Sequence, residues 1–364
     1  MYAAYFFVDK IMKILILALS GIGDALMFTP ALSILRKAYP DAEIDALVMI
    51  NGVKEIYERS PDISKVIHYD FIKAGALKSL IFISSLRGKY DISINVYPSN
   101  RKEYNVINYL IGAKQKAAVK YLRMNNSNLG WLNNVTVHEN DSLHNVEENI
   151  LLVEKLINKK LNEKPKLQIF FTKADEEYAA DYIKHIGINN DELVIGFHPG
   201  CATLKNHIKR RWEPEKFSEL GKRLINEFNA RILIFGGPEE TDLKHEVSNG
   251  IDSDKAHVIK TDNLIHSAAV MRRCNLFITN DSSLMHISSA LGLRVIAIIG
   301  PTNTNYIHPW QTEHKIVTLN LDCSPCFYYS PKPLICTRTD VKFKCIKELT
   351  PEMVFTTAKT LLKK

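Results

Sequence analysis

Short, unbroken apolar runs alternate with helix-spaced segments along nearly the whole chain, and this rhythm narrows the folds open to it. The runs KILILAL, EIDALVM, KVIHY and YDISINV (90–96) read as strands, and the first is the kind of run found in buried parallel strands. Between them, DALMFTPALSILRKAY has helical spacing ended by Pro40, a second helix falls near 53–58, and SLHNVEENILLVEKLI (142–157) closes the series. Strand–helix–strand order implies a parallel sheet with helices on both faces. A polar stretch, NKKLNEKPK (158–166), reads as the approach to a linker. A second series follows it: LVIGFHPG, PEKFSELGKRLINEFN, ARILIFGGPEE, NLIHSAAVMRRC, LFITND, SSLMHISSALG and RVIAIIGPT. The chain is therefore α/β, two doubly wound domains in tandem, and 364 residues suit two such units. The expected division is 1–168, 169–349 and a closing helix, 350–364, that starts Thr-Pro.

Every glycine turn in these series falls at the carboxyl end of a strand, where doubly wound sheets bind ligands. GIGD (21–24) is neither a dinucleotide fingerprint nor a P-loop, since Leu26 stands where a third glycine would be and no Gly-Lys-Ser/Thr follows. Asp24 fits either an N-cap or a proton acceptor at a helix mouth. In TNDSSLMHISSALG (279–292), Asp281, Ser282 and Ser283 stand where a strand becomes a helix, with His286 one turn on. Such a turn either caps the helix or offers free N–H groups to a phosphate. The stretch 198–217 carries Lys205, Lys209, Arg210 and Arg211 before Trp212, charges suited to a phosphate leaving group. FGGPEE places Glu239 and Glu240 where a carboxylate can grip ribose hydroxyls.

Charge is uneven. The chain carries +7, but residues 73–123 hold ten basic side chains and two acids. This reads either as a solvated lysine-rich face or as a site for an anionic partner. Aromatic interleaving and RNA-binding signatures are missing from that stretch, which argues against nucleic acid. No apolar run approaches a membrane span. The start, MYAAYFFVDKIMK, lacks a basic n-region and a cleavage site, so no signal peptide is expected, and Met12 is a second candidate start. Six cysteines in that context point to a reducing compartment. Four of them, Cys323, Cys326, Cys336 and Cys345, have a spacing open to a structural zinc, to free thiols or, least, to disulfides.

Together and in order, ILILALSGIGDALMFTPALSILRKAYP, IGFHPG…KRRWEPEKF, FGGPEE, FITNDSSLMHISSALG and CSPC resemble glycosyltransferase family 9, the ADP-heptose:lipopolysaccharide heptosyltransferases. The resemblance spans residues 14 to about 350. It implies a GT-B architecture, two Rossmann-like domains facing across a cleft, the first for the acceptor and the second for the nucleotide-sugar donor. It implies inverting transfer of a heptose from ADP-heptose to a hydroxyl of the lipopolysaccharide inner core, with no metal required for the chemistry. Asp24 matches the general base. Asp281 and Ser282 match donor-phosphate contacts, with Ser283 and His286 beside them, and Glu240 matches a nucleoside contact. The family's phosphate-gripping lysine, two residues before the tryptophan, is here Arg210, with Lys209 adjacent. Gly23 and Arg101 are the expected acceptor contacts. The expected location is cytoplasmic, peripheral at the inner face of the membrane, and by analogy the closing helix returns to the first domain. Another nucleotide sugar with another glycan acceptor, or a non-catalytic sugar-nucleotide binder, remain alternatives; a mere binder has no use for the acid at Asp24.

Overall fold

The computed structural model describes residues 11–328 and 333–363. Of the stretch before Met12, the second candidate start, only Ile11 lies within the described residues.

Two six-stranded, all-parallel sheets carry the structure. The first contains β1 (Lys13–Ala18), β2 (Glu43–Val48), β3 (Lys65–His68), β4 (Ile92–Asn95), β5 (Gln115–Lys120) and β6 (Val135–His138), in the order β3-β2-β1-β4-β5-β6. Its helices are α1 (Ile22–Ala38), α2 (Asn51–Glu58), α3 (Phe71–Leu86), α4 (Lys102–Ile111) and α5 (Asn145–Ile157). After α6 (Lys173–His185) the second sheet repeats the pattern with β7 (Val194–His198), β8 (Arg231–Ile234), β9 (Ala256–Val258), β10 (Leu276–Asn280), β11 (Arg294–Ile298) and β12 (His314–Val317). Their order is β12-β11-β10-β7-β8-β9. The helices here are α7 (Pro214–Phe228), α8 (Thr241–Ile251), α9 (Leu264–Met271), α10 (Ser283–Ala290), α11 (Thr304–Ile307), α12 (Lys344–Lys347) and α13 (Pro351–Leu362).

Both orders reverse direction once, between β1 and β4 and between β7 and β10. At such a switch point the two flanking loops diverge and leave a crevice beyond the strand ends. The chain places GIGD after β1, Arg101 after β4, Pro199 and Gly200 after β7 and Asp281–Ser283 after β10. Four of the motif turns thus sit on the two crevices.

The central strands are apolar because helices cover both faces; Ile14, Leu15, Ile16 and Leu17 are almost wholly buried. α1 carries Pro30 inside it, which cannot donate to the carbonyl of Leu26. The Thr29 hydroxyl donates to that oxygen instead at 2.8 Å, so the helix keeps the group satisfied. The lobes touch along α1 against α10 and α2 against α9. Polar ties reinforce this contact: Asn303 Nδ2 donates to the Asp141 carbonyl at 2.8 Å, and the Leu264 N–H donates to Glu55 Oε2 at 2.8 Å.

One expectation is corrected. The closing helix α13 packs on α7, β11 and β12, in the second lobe, rather than returning to the first. Its buried stripe, Val354, Phe355, Ala358 and Leu361, joins the apolar cluster of Phe217, Leu220 and Leu224. That helical spacing presents one apolar face, and α7 offers the complementary one.

Candidate active site

Asp24 lies in the first turn of α1, partly buried, and the Gly21 N–H donates to its Oδ2 at 2.9 Å. The carboxylate therefore folds back over the glycine turn. Burial pushes its pKa up to about 7; the Gly21 hydrogen bond and the Arg210 charge oppose that rise, while Asp281 adds to it. The influence of Arg210 and Asp281 shows that the acid of the first lobe faces the charged turn of the second. A carboxyl tuned to neutrality is matched to accepting a proton near physiological pH.

Across the cleft, Arg210 is buried and donates from Nη1 to Asp281 Oδ2 at 2.5 Å. Thr302 Oγ1 donates to the same oxygen at 2.6 Å. The Arg210 guanidinium also lies over the Phe327 ring, 5.1 Å from its centroid. Lys209, the neighbour in sequence, is exposed. The structure thus separates the two cations: Arg210 joins the cluster and Lys209 does not.

Ser282 is the N-cap of α10, yet no side chain caps that helix. The Ser282 hydroxyl instead pairs with His198 Nδ1 at 2.8 Å and Thr279 Oγ1 at 3.2 Å. Ser283 follows, partly buried, as the first helical residue. The start of α10 thus keeps N–H groups free of side-chain caps, an arrangement suited to an anion. The capping reading of Ser282 is set aside by this geometry.

His198, at the end of β7, connects Ser282 to Glu240: its Nε2 lies 3.0 Å from Glu240 Oε2. Glu240 also accepts from the Gly237 N–H at 3.1 Å and from Arg211 Nη2 at 3.2 Å. Burial works against its charge, but the His198 contact, Gly237 and Arg211 outweigh it and hold the carboxyl below its ordinary range. Asn280 locks the two turns together, accepting from the Trp212 N–H at 3.0 Å and donating to the Pro199 carbonyl at 2.7 Å. His198 and Thr302 are site residues that sequence reading misses, and Arg211 enters it only as one of four cations before Trp212. Only the HPG turn and the basic run hinted at two of them, and pairing between distant strand ends has no local signal.

His286 is buried, and burial lowers its pKa to about 4, so the ring is neutral. Its Nδ1 has no hydrogen-bond partner among the described residues. The ring lies against Gly23: a Cβ there would sit 2.7 Å from His286 Cδ2. The backbone of the first lobe at Gly23 thus packs directly on a side chain of the second. Gly23→Val should cost about 1–3 kcal/mol through overpacking. Combining it with His286→Ala should recover most of that loss in chemical denaturation; no recovery would mean the contact is not the cause.

Arg101 is exposed and caps no side-chain bond at the start of α4. Lys205 of the second lobe feels it: burial, then the Arg101 charge, lowers the Lys205 pKa. Two cations from opposite lobes thus face one space.

The four carboxyl-terminal cysteines are free thiols. Burial and then the neighbouring Cys326, Cys336 and Cys323 push the Cys345 thiol up to about 11, so the four lie near one another. Two sulfurs are already engaged, Cys336 accepting from the Phe343 N–H and Cys323 from Arg338. Among the described residues no group of three or more His, Cys, Asp or Glu is placed to hold a metal ion. A structural zinc on these four thiols is not confirmed.

The family 9 model, the heptosyltransferases, matches residues 80–333. The chain belongs to glycosyltransferase family 9. It is 34% identical to lipooligosaccharide heptosyltransferase 2 of Campylobacter jejuni serotype O:2 over 48% of this chain and 53% of that protein. The matched part thus spans about half the length of that relative. It is 24% identical to the Haemophilus influenzae lipooligosaccharide heptosyltransferase 2 over 85% of this chain and 89% of that one. The fold of the Escherichia coli ADP-heptose lipopolysaccharide heptosyltransferase II superposes with a TM-score of 0.73 at 20% identity, covering 97% of this chain and 99% of that one. The two facing Rossmann-like sheets of this family 9 member are the GT-B architecture.

Proposed function

We propose that this chain is an inverting heptosyltransferase that moves a heptose from ADP-L-glycero-D-manno-heptose to a hydroxyl of the lipopolysaccharide inner core, Kdo-lipid A or an already heptosylated core. In this reading residues 1–168 hold the acceptor and 169–349 the donor. Asp24 takes the proton from the acceptor hydroxyl as that oxygen attacks the anomeric carbon. The bond from that carbon to the diphosphate oxygen breaks on the opposite face, so the configuration inverts and ADP leaves. Arg210, Ser282 and Ser283 hold the departing diphosphate, in a cluster organised by Asp281; Glu240 and His198 shape the nucleoside side, and His286 closes the lobe contact at Gly23. Arg101, with Lys205 opposite, receives anionic groups of the acceptor. All of these roles use acid–base and electrostatic groups of the chain itself. The protein works at the inner face of the cytoplasmic membrane, in peripheral contact with it. Among the described residues no helix is long and apolar enough to cross a membrane.

The observation that carries this reading is the placement of a neutral-range carboxyl, Asp24, opposite Arg210 and the uncapped start of α10. The test is calorimetric titration with ADP, UDP and GDP, followed by turnover of ADP-heptose on Kdo-lipid A. ADP should bind in preference, and ADP should be released from ADP-heptose only with acceptor present. A preference for UDP or GDP would overturn the heptose assignment, and no nucleotide binding would sink the transferase reading.

A further inference from the structure

Helix α3 is apolar on two sides, and only one of them is used. Ile83 and Leu86 are buried against the sheet with Leu15 and Leu17, and Phe82 stacks on Tyr69 with centroids 3.9 Å apart. The other side faces outward with Ile72 80% exposed, Leu77 73%, Leu80 50% and Ile81 64%. Leu77, Leu80 and Ile81 follow i, i+3, i+4 spacing, so they form one continuous stripe rather than scattered surface residues. The helix is held in this pose by its inner face and by its N-cap, Asp70, which accepts from the Ile72 and Lys73 N–H groups. Gly75, at φ +76, breaks the helix near its start and sets the Ile72 turn at an angle to the rest.

Charge identifies what covers this stripe. From Phe71 to Tyr90 the chain has four basic residues, Lys73, Lys78, Arg87 and Lys89, and no acidic one. The acids at its two ends are already engaged, Asp70 at the cap and, at 3.6 Å, by the exposed Lys73 ammonium, and Asp91 by the Lys13 N–H at 3.1 Å. A second copy placed on the stripe would bring like charges together. An anionic lipid surface takes apolar side chains below its headgroups and pairs the flanking lysines with phosphates.

We infer that the outward face of α3 docks this protein on an anionic phospholipid bilayer, with Ile72, Leu77, Leu80 and Ile81 entering the headgroup boundary and Lys73 and Lys78 meeting lipid phosphates. The inference rests on the proposed function for its purpose but not for its test. α3 starts just beyond the carboxyl end of β3, the same end of the sheet that carries Gly21 and Asp24. Docking through α3 therefore sets the cleft beside the membrane, where a lipid-anchored acceptor can reach Asp24 without leaving the bilayer.

The test is flotation of the full chain with phosphatidylglycerol–phosphatidylcholine vesicles and with phosphatidylcholine vesicles alone, with ADP titrated by calorimetry on the same preparations. The wild type should float with the anionic vesicles and bind the neutral ones at least about tenfold more weakly. Leu77→Ser/Ile81→Ser and Lys73→Glu/Lys78→Glu, all at exposed positions, should each weaken anionic-vesicle binding by about tenfold or more and leave ADP binding unchanged. Wild-type-like vesicle binding by both variants would overturn the inference, as would failure of the wild type to bind. A shift from dimer to monomer in Leu77→Ser/Ile81→Ser with vesicle binding unaltered would assign the stripe to a second copy instead. Loss of vesicle binding by the variants in a protein that binds no nucleotide would leave the docking face standing and remove the transferase reading.

Discussion

Asp24→Asn should lower kcat by about two to four orders of magnitude while changing ADP affinity little, because the amide keeps the shape of the carboxyl but accepts no proton. In the wild type, the pH profile of kcat should fall on the acid side with a midpoint near 7, the value to which burial raises Asp24. The asparagine variant should lose that limb. Turnover within a few-fold of wild type would remove Asp24 from the reaction. The same residue makes a prediction about stability. Its folded pKa of about 7 lies above the ordinary 3.8, so the folded state binds the proton more tightly than the unfolded chain does. The stabilisation that comes from the neutral form is fully present below 3.8 and is lost as pH rises to 7; above that the buried anion works against folding. Asp24→Asn should therefore raise stability by about 2–4 kcal/mol in mildly alkaline buffer. The gain should vanish in acid near pH 3.8. Denaturation curves at the two pH values check this, and equal gains at both would show that the charge is not the source.

Arg210→Ala should be the most damaging change in the second lobe. It strips Asp281 of its cation while Asp281 stays buried, so about 3–5 kcal/mol of stability should go with it. The loss of charge beside the diphosphate should lower kcat/KM by about a hundredfold or more. Arg210→Lys keeps the charge and loses the fork that also reaches His207 Nδ1 at 3.4 Å, so stability should recover more than turnover does. Lys209→Ala is the control: exposed, it should change kcat/KM by less than about threefold. A large effect at Lys209 with a small one at Arg210 would exchange their roles.

The parts of the fold carried by unbroken periodicity were legible along the chain. KILILAL becomes β1, and the helical spacing after GIGD becomes α1, ending two residues before Pro40. β5, QKAAVK, was not legible, because two lysines and a glutamine interrupt its short apolar centre. α3 was hidden for a different reason. An apolar helix that is not covered by the rest of the chain looks neither like a buried strand nor like an ordinary amphipathic helix, and Gly75 interrupts its period.

The candidate site divides in the same way. Sequence alone determined that an acid follows the first glycine turn, that hydroxyls open the helix after FITND, and that cations precede Trp212, because each is a local pattern at a strand end. Tertiary structure alone decided that Arg210 rather than Lys209 meets Asp281, that Ser282 turns to His198 instead of capping its helix, and that α13 rests on the second lobe. It also decided the Asp24 pKa. A side chain's charge state depends first on how much water the packed structure excludes and then on nearby charges, and the two charges that act on Asp24, Arg210 and Asp281, stand far away in sequence in the opposite lobe.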